Sequence, residues 1–221
     1  MSKNLNLSKA KAAKNDEFYT LYEDIEAELS HYTEHFKDKV VYCPCDDWEW
    51  SNFYKYFFDN FEQLGLKKLI ATCIAAGTGT YKYSEDQLNL FADEEPKGKI
   101  AEVYCENGQK IVKTGFLQEN GDFKSEECEN LLEQADIVIT NPPFSLFREF
   151  LALLIKRGKQ FAIIGNMNAI TYKEVFPLIK NNLIWLGATV NGSDMVFGVP
   201  ENAKIAEADR KKAAKLGYKG V

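Results

Sequence analysis

Apolar positions change period several times along this chain, and the changes predict an alternation of helices and strands. From Asp16 the pattern turns helical, with Tyr22, Ile25, Leu29 and Tyr32 recurring near the 3.6-residue period. The run Lys39 to Cys45 then reads as a buried strand, since Val-Val-Tyr-Cys is short and β-prone. A helix follows with Phe53, Phe57, Phe61 and Leu64 on one stripe, ending around Gly65, and Lys68 to Ile74 predicts the next strand. Strand, helix, strand in that order implies a parallel sheet with crossover helices.

The rhythm breaks between Tyr81 and Asn130, an acidic and turn-rich stretch. Within it, Asn107-Gly108 separates Ala101–Glu106 from Gln109–Phe116 and predicts a hairpin. Regularity resumes with a strand at Asp136–Thr140, a helix at Ser145–Arg157 closed by Gly158, and a strand at Phe161–Gly165. A helix from about Thr171 to Lys180, with Pro177 inside it, and strands at Leu183–Leu186 and Met195–Val199 complete the pattern. The fold class predicted is α/β, with a mostly parallel central sheet and helices on both faces. Residues 1–15 read as a basic flexible tail and 16–221 as one domain, with the hairpin in an insertion over about 81–130.

Composition narrows this picture. At 221 residues and 45% hydrophobic content the chain is long enough for one substantial core. No stretch approaches the apolar length of a membrane span, and Met1 to Lys14 has no signal-peptide core, so the expected location is the cytoplasm. The five cysteines are scattered, and Cys43-Pro44-Cys45 lacks the spacing of a redox pair or zinc knuckle, which favours buried thiols. A net charge of −6 weighs against nucleic acid as a partner, although Lys9, Lys11 and Lys14 cluster at one end and Arg210, Lys211, Lys212 and Lys215 at the other.

The chemistry-bearing residues concentrate at predicted strand ends, where open α/β sheets bind ligands. Asp46 and Asp47 follow the first strand, Asn141 follows the strand at Asp136–Thr140, and Asn166 and Asn168 follow the next. Asn141-Pro142-Pro143-Phe144 is the most informative group. An exocyclic amine such as adenine N6 is a poor nucleophile because its lone pair is delocalised into the ring. Acceptors aimed at both N–H bonds return that pair to nitrogen; the Asn141 side-chain oxygen suits one and the Pro142 carbonyl the other. Consecutive prolines fix φ and restrict the residue before each, so the acceptors are preorganised. Phe144 offers a face for a planar base drawn out of its stack. The plainer alternative is an ordinary turn after a strand. His31-Tyr32-Thr33-Glu34-His35 matches His-x-x-Glu-His, but no third ligand stands out and an acidic solvated helix face explains it; no metal is expected.

Four segments in shared order carry a resemblance to a known family. They are Asp16-Glu17-Phe18-Tyr19-Thr20, Cys45 through Phe53, Gly121-Asp122-Phe123-Lys124-Ser125, and Asp136 through Phe150 together with Asn166 through Tyr172. The combination resembles the EcoRI-type adenine-specific DNA methyltransferases. That resemblance implies a Rossmann-like methyltransferase fold, S-adenosylmethionine as methyl donor, and double-stranded DNA with a flipped adenine as substrate, in the setting of a restriction endonuclease system. It also implies site roles. Asn141, Pro142, Pro143 and Phe144 would be catalytic, while Phe18, Tyr19 and Thr20 would flank the methionine end of the donor. Asp46 or Asp47 would face the ammonium group, Asp122 would accept from the donor adenine, and Phe123 would pack on its ring.

Two departures accompany the resemblance. Trp48-Glu49-Trp50-Ser51-Asn52 stands where methyltransferases usually carry Gly-x-Gly, and no acidic residue ends Leu69–Ile74, where Gly77-Thr78-Gly79 is too short for a phosphate loop. Family members also continue beyond Gly217-Tyr218-Lys219-Gly220-Val221 into a target-recognition region, which the resemblance implies is absent here. Alternatives are a degenerate domain that binds donor or nucleic acid without turnover, and an RNA or protein-glutamine N-methyltransferase, since these substrates also present planar nitrogens.

Overall fold

A computed structural model describes residues 19–75, 96–189, 197–198 and 207–215. Its centre is a six-stranded sheet built from β2 (Val40–Cys43), β3 (Lys68–Cys73), β4 (Lys99–Glu106), β5 (Gln109–Phe116), β6 (Ile137–Thr140) and β7 (Gln160–Ile163). Their spatial order is β5-β4-β3-β2-β6-β7. The pairs β2/β3, β2/β6 and β6/β7 are parallel, whereas β4 and β5 add an antiparallel hairpin at one side. The Asn107-Gly108 turn works because both residues have positive φ, 52° and 77°, the twist a two-residue hairpin requires.

Strand alternation divides the core in two. Val41 and Cys43 of β2, Leu69 and Ala71 of β3, and Ile137 and Ile139 of β6 face one side. There they meet Ile25 and Leu29 of α1 (Tyr22–Leu29) and Phe53 and Phe57 of α2 (Asn52–Asp59). Val40, Tyr42, Ile70 and Val138 point the other way. They meet Leu131 and Leu132 of α3 (Glu126–Gln134) and Phe150 and Leu154 of α4 (Phe147–Lys156). Both faces are therefore covered, which is why the strands read as unbroken apolar runs rather than alternating ones. Each fully buried aromatic or aliphatic side chain contributes about 1.5–3 kcal/mol through removal from water.

The structure corrects several boundaries. Tyr19–Thr20 is a short strand, β1, and the helix starts only at Tyr22 after the extended Leu21. β1 pairs antiparallel with β8 (Phe197–Gly198), so the last predicted strand joins this two-stranded ribbon and not the main sheet. The segment predicted as one helix over Thr171–Lys180 divides into a 3-10 turn at Met167–Thr171 and a short α5 at Phe176–Lys180. Pro177 stands in the first turn of α5, where its missing N–H costs nothing. Leu183–Leu186 is not a strand; Leu183, Trp185 and Leu186 are exposed, and the run has no neighbouring strand to pair with among the described residues. Ser30–His35 is a 3-10 helix, whose three-residue turn separates His31 and His35 around the axis, and both are exposed. A further helix, α6, spans Glu207–Lys215.

β2 has β3 on one side and β6 on the other, so the crossovers leaving β2 and β3 diverge at this point. A crevice at such a reversal is where an open α/β sheet binds ligands.

Candidate active site

The chain turns sharply after β2. The backbone N–H of Asp46 bonds the Thr72 carbonyl at 2.9 Å, which holds the loop against the end of β3. Ser51 caps α2: its hydroxyl oxygen accepts from Phe53 N at 3.1 Å and Tyr54 N at 3.4 Å. The same hydroxyl donates to Asp46 Oδ1 at 2.5 Å. The second Asp46 oxygen, Oδ2, accepts from the Thr140 hydroxyl at 2.6 Å. Thr140 is the last residue of β6 and immediately precedes Asn141, so one buried carboxylate ties the end of β2 to the candidate catalytic turn.

That carboxylate is expensive to charge. Burial raises the Asp46 pKa to about 6, against the opposing hydrogen bonds from Ser51 and Thr140. Asp47 is placed differently. Its carboxylate takes Lys99 Nζ at 3.0 Å and the Glu49 N–H at 3.0 Å, an ion pair that Glu49 completes at 2.6 Å from the same ammonium. Burial works against the charge on Lys99, but these two carboxylates hold it above the usual lysine range.

A cleft opens where these elements converge. Thr20, Asp46, Ser51, Ile74, Gly121, Asp122, Phe123, Asn141, Pro143 and Leu146 are among the residues lining it, drawn from segments far apart in the chain. Thr20 enters because Asn52 donates its side-chain amide to the Thr20 carbonyl at 2.8 Å. The Thr20 hydroxyl is buried and has no hydrogen-bond partner among the described residues. Gly121 has φ +79°, and a Cβ there would fall against the Cys73 carbonyl oxygen, so only glycine lets this loop close on the end of β3. Asp122 then folds into a tight turn, its Oδ1 accepting from Lys124 N at 2.9 Å. Phe123 is largely a core residue, packed edge-on to Phe150 at 5.0 Å, with one side left to the cleft.

The remaining predicted positions distribute as follows. Phe18 lies outside the described residues, as do Lys9, Lys11, Lys14 and Gly77-Thr78-Gly79. The backbone of Tyr19 pairs with Gly198 in the β1/β8 ribbon. Asp47, Pro142 and Phe144 are not in the cleft wall. Phe144 packs edge-on against Phe197 at 6.1 Å, which brings β8 beside the turn. Asn166 caps the 3-10 turn at Met167, accepting from Asn168 N at 2.9 Å. Ser51 and Thr140 join the site beyond the residues that the motifs single out. A serine two residues before the Phe53 stripe was a usable cap signal; nothing local marked Thr140, whose partner lies 94 residues away.

Burial disfavours the thiolate form of both cleft cysteines, Cys45 and Cys73. Burial pushes the Cys73 thiol up to about 12, with the Asp47 charge adding to it, and raises Cys45 well above its usual range. The five cysteines are all free thiols. No group of three or more His, Cys, Asp or Glu side chains suited to a metal occurs among the described residues. No described helix is long and apolar enough to cross a membrane.

A doubly covered sheet with its cleft at the β2/β6 reversal, and an Asn-Pro-Pro-Phe turn at the second strand's end, is a Rossmann-like methyltransferase fold. Comparison with known proteins agrees: the model of the adenine-specific methyltransferase EcoRI family matches residues 6–219. The chain belongs to that family. It is 52% identical over 203 residues to the Type II methyltransferase M.EcoRI of Escherichia coli, covering 90% of this chain and 60% of that protein. It is 43% identical over 198 residues to the Type II methyltransferase M.MpnI of Mycoplasma pneumoniae, covering 90% and 55%. A third relative, the Type II methyltransferase M.MgeORF184P of Mycoplasma genitalium, is 41% identical over 200 residues, covering 90% and 56%. The chain thus spans between 55 and 60% of the length of these curated relatives. No solved structure matches it.

Proposed function

We propose that this chain carries the catalytic face of a DNA adenine N6-methyltransferase that uses S-adenosylmethionine. The observation that carries the reading is the Asp46–Thr140 hydrogen bond, because it sets a buried carboxylate beside the Asn141-Pro142-Pro143-Phe144 turn at the edge of one cleft. Family membership and the Type II methyltransferase names of the relatives support the same reading.

The residues fit the donor. Asp46 is the carboxylate for its ammonium group, since Asp47 is already engaged by Lys99. Each carboxylate oxygen of Asp46 accepts one hydroxyl and retains a further lone pair. The buried Thr20 hydroxyl lacks a partner among the described residues and suits the polar methionine end. Ile74 and Phe123 supply apolar wall for a purine, with Asp122 beside them as acceptor. When bound, the donor supplies an electrophilic methyl group on sulfur.

The chain's own residues prepare the acceptor. The Asn141 side-chain oxygen and the Pro142 carbonyl accept the two N6 hydrogens, Phe144 carries the face of the flipped adenine, and Pro143 keeps the turn stiff. With the donor bound, N6 would gain the methyl as the carbon–sulfur bond broke to leave a neutral thioether, and one N6 proton would pass to solvent water. Because the acceptors are held before reaction, little reorganisation accompanies the charge that develops on nitrogen. The relatives' Type II designation makes a restriction endonuclease of the same system the expected functional counterpart.

Calorimetric titration with S-adenosylmethionine, followed by incubation with labelled donor and adenine-rich duplex, tests the proposal. Donor binding with label recovered as N6-methyladenine is the expected result. Binding without transfer would replace it with the reading of a donor-binding domain without turnover, which the net charge of −6 favours. Label in RNA or in glutamine would move the substrate class.

A further inference from the structure

Arg148 is the second residue of α4, one turn beyond Phe144, and its guanidinium lies over the ring of Tyr172 at 4.1 Å from the centroid. Tyr172 ends the 3-10 turn that follows β7, the strand parallel to β6. The pair therefore bridges the carboxyl ends of the two strands, along the same edge of the sheet as Asn141. Close packing supports the bridge from below. A Cβ on Gly165 would sit 2.6 Å from Phe147 Cε2, so the glycine is what allows the chain leaving β7 to lie directly on the first turn of α4.

The charge environment separates Arg148 from its neighbours. Lys99 faces Asp47 and Glu49, Lys124 faces Glu149, and Lys173 faces Glu174. Arg148 forms no ion pair with a carboxylate among the described residues; an aromatic ring orients it instead. Stacking on the flat face of the guanidinium leaves the N–H edge free, and that edge matches two oxygens of a phosphate. In a chain of net charge −6, whose general surface repels a polyanion, an exposed cation held in one orientation beside the catalytic turn carries unusual weight.

We infer that the Arg148–Tyr172 pair is a phosphodiester-binding site, clamping the backbone of the substrate strand next to the nucleotide presented to Asn141. The inference rests on the proposed nucleic-acid substrate and adds to it a contact that positions the strand without reading its sequence. Tyr172 acts by orienting the arginine; it is a positioning residue.

The test is fluorescence anisotropy of the full chain with a labelled adenine-rich duplex, at several salt concentrations from about 50 to about 200 mM. Arg148→Gln is expected to weaken binding about five- to tenfold at the lowest salt and to reduce the slope of log affinity against log salt by about one. Arg148→Lys keeps the charge and should restore the slope. Tyr172→Phe should behave as wild type, whereas Tyr172→Ala should lose affinity with Arg148 intact. Calorimetric affinity for S-adenosylmethionine, unchanged in all four variants, reports that the fold is retained. A wild-type slope in Arg148→Gln overturns the inference and leaves the proposed function standing. An unchanged slope with altered preference among duplex sequences also overturns it, in favour of base contact. Absence of duplex binding by the wild-type chain overturns the inference together with the nucleic-acid reading on which it rests.

Discussion

Two stretches of this molecule treat burial in opposite ways. At the β2/β6 reversal, polar side chains are buried and tied together: Asp46, Ser51 and Thr140 are at most 5% exposed and share two short hydrogen bonds. Beyond β7, apolar side chains are exposed: Leu183 at 61%, Trp185 at 76% and Leu186 at 53%. That second stretch is anchored by polar contacts at its far end, where Glu28 of α1 accepts from Ala188 N at 2.8 Å, Thr189 N at 2.7 Å and the Thr189 hydroxyl at 2.5 Å. The contrast shows where the fold has placed its constraints. Desolvated polar groups are costly unless paired, so a buried cluster of them marks a place whose geometry is specified closely. An exposed apolar run specifies little about its own neighbours.

The largest expected effect is on chemistry at the constrained end. Asn141→Ala should lower methyl transfer by about 10²–10³-fold, the usual cost of removing one preorganised polar group from a reacting centre, while leaving S-adenosylmethionine affinity within about twofold. Undiminished turnover in a steady-state assay would remove Asn141 from its assigned role.

Asp46→Asn should separate stability from binding. The folded-state pKa of about 6 lies above the ordinary 3.8. The native state therefore holds the proton more tightly, and the associated stability is fully present below about pH 4 and lost as pH rises through about 6. At pH 7.5 the wild type carries a buried charge, and Asp46→Asn should be more stable by on the order of 2 kcal/mol in urea titrations, the gain shrinking towards pH 4. Donor affinity should fall more than about tenfold in the same variant. Wild-type donor affinity should weaken below about pH 6 as Asp46 takes up its proton. A variant both less stable and unimpaired in binding would show Asp46 to be a purely structural acid.

Gly121→Ala is expected to cost more than about 1 kcal/mol, since it combines a positive φ with a collision against the backbone of β3. Circular-dichroism melting checks the value, and a neutral result would mean the loop relaxes. The smallest effect belongs to the other region. Trp185→Ser should change stability by no more than about 0.5 kcal/mol, and acrylamide should quench Trp185 more strongly than the partly buried Trp48. A loss near that of a core aromatic would show that the exposed run is packed in solution.

Much of the fold was legible from period alone. The apolar runs at β2, β3 and β6, the Asn107-Gly108 hairpin and the Phe53/Phe57 stripe were strong local signals, and their order implied parallel pairing. Boundaries failed where a local preference met a different tertiary use. Leu183–Leu186 is β-prone but has no strand beside it among the described residues, Tyr19–Thr20 became extended through Phe197–Gly198, and Pro177 started a helix that the pattern ran through.

The fold class, the family and the Asn-Pro-Pro-Phe turn can be read from the chain alone, because these depend on residue type and short spacing. Assembly of the sheet selects which of two adjacent aspartates enters the cleft, since the choice follows from Lys99 on a distant strand. The same assembly makes Thr140 the link between the end of β2 and the Asn141-Pro142-Pro143-Phe144 turn, and rests Arg148 on Tyr172. These contacts join residues whose neighbourhood exists only after the sheet has formed, and no local pattern in the chain encodes them.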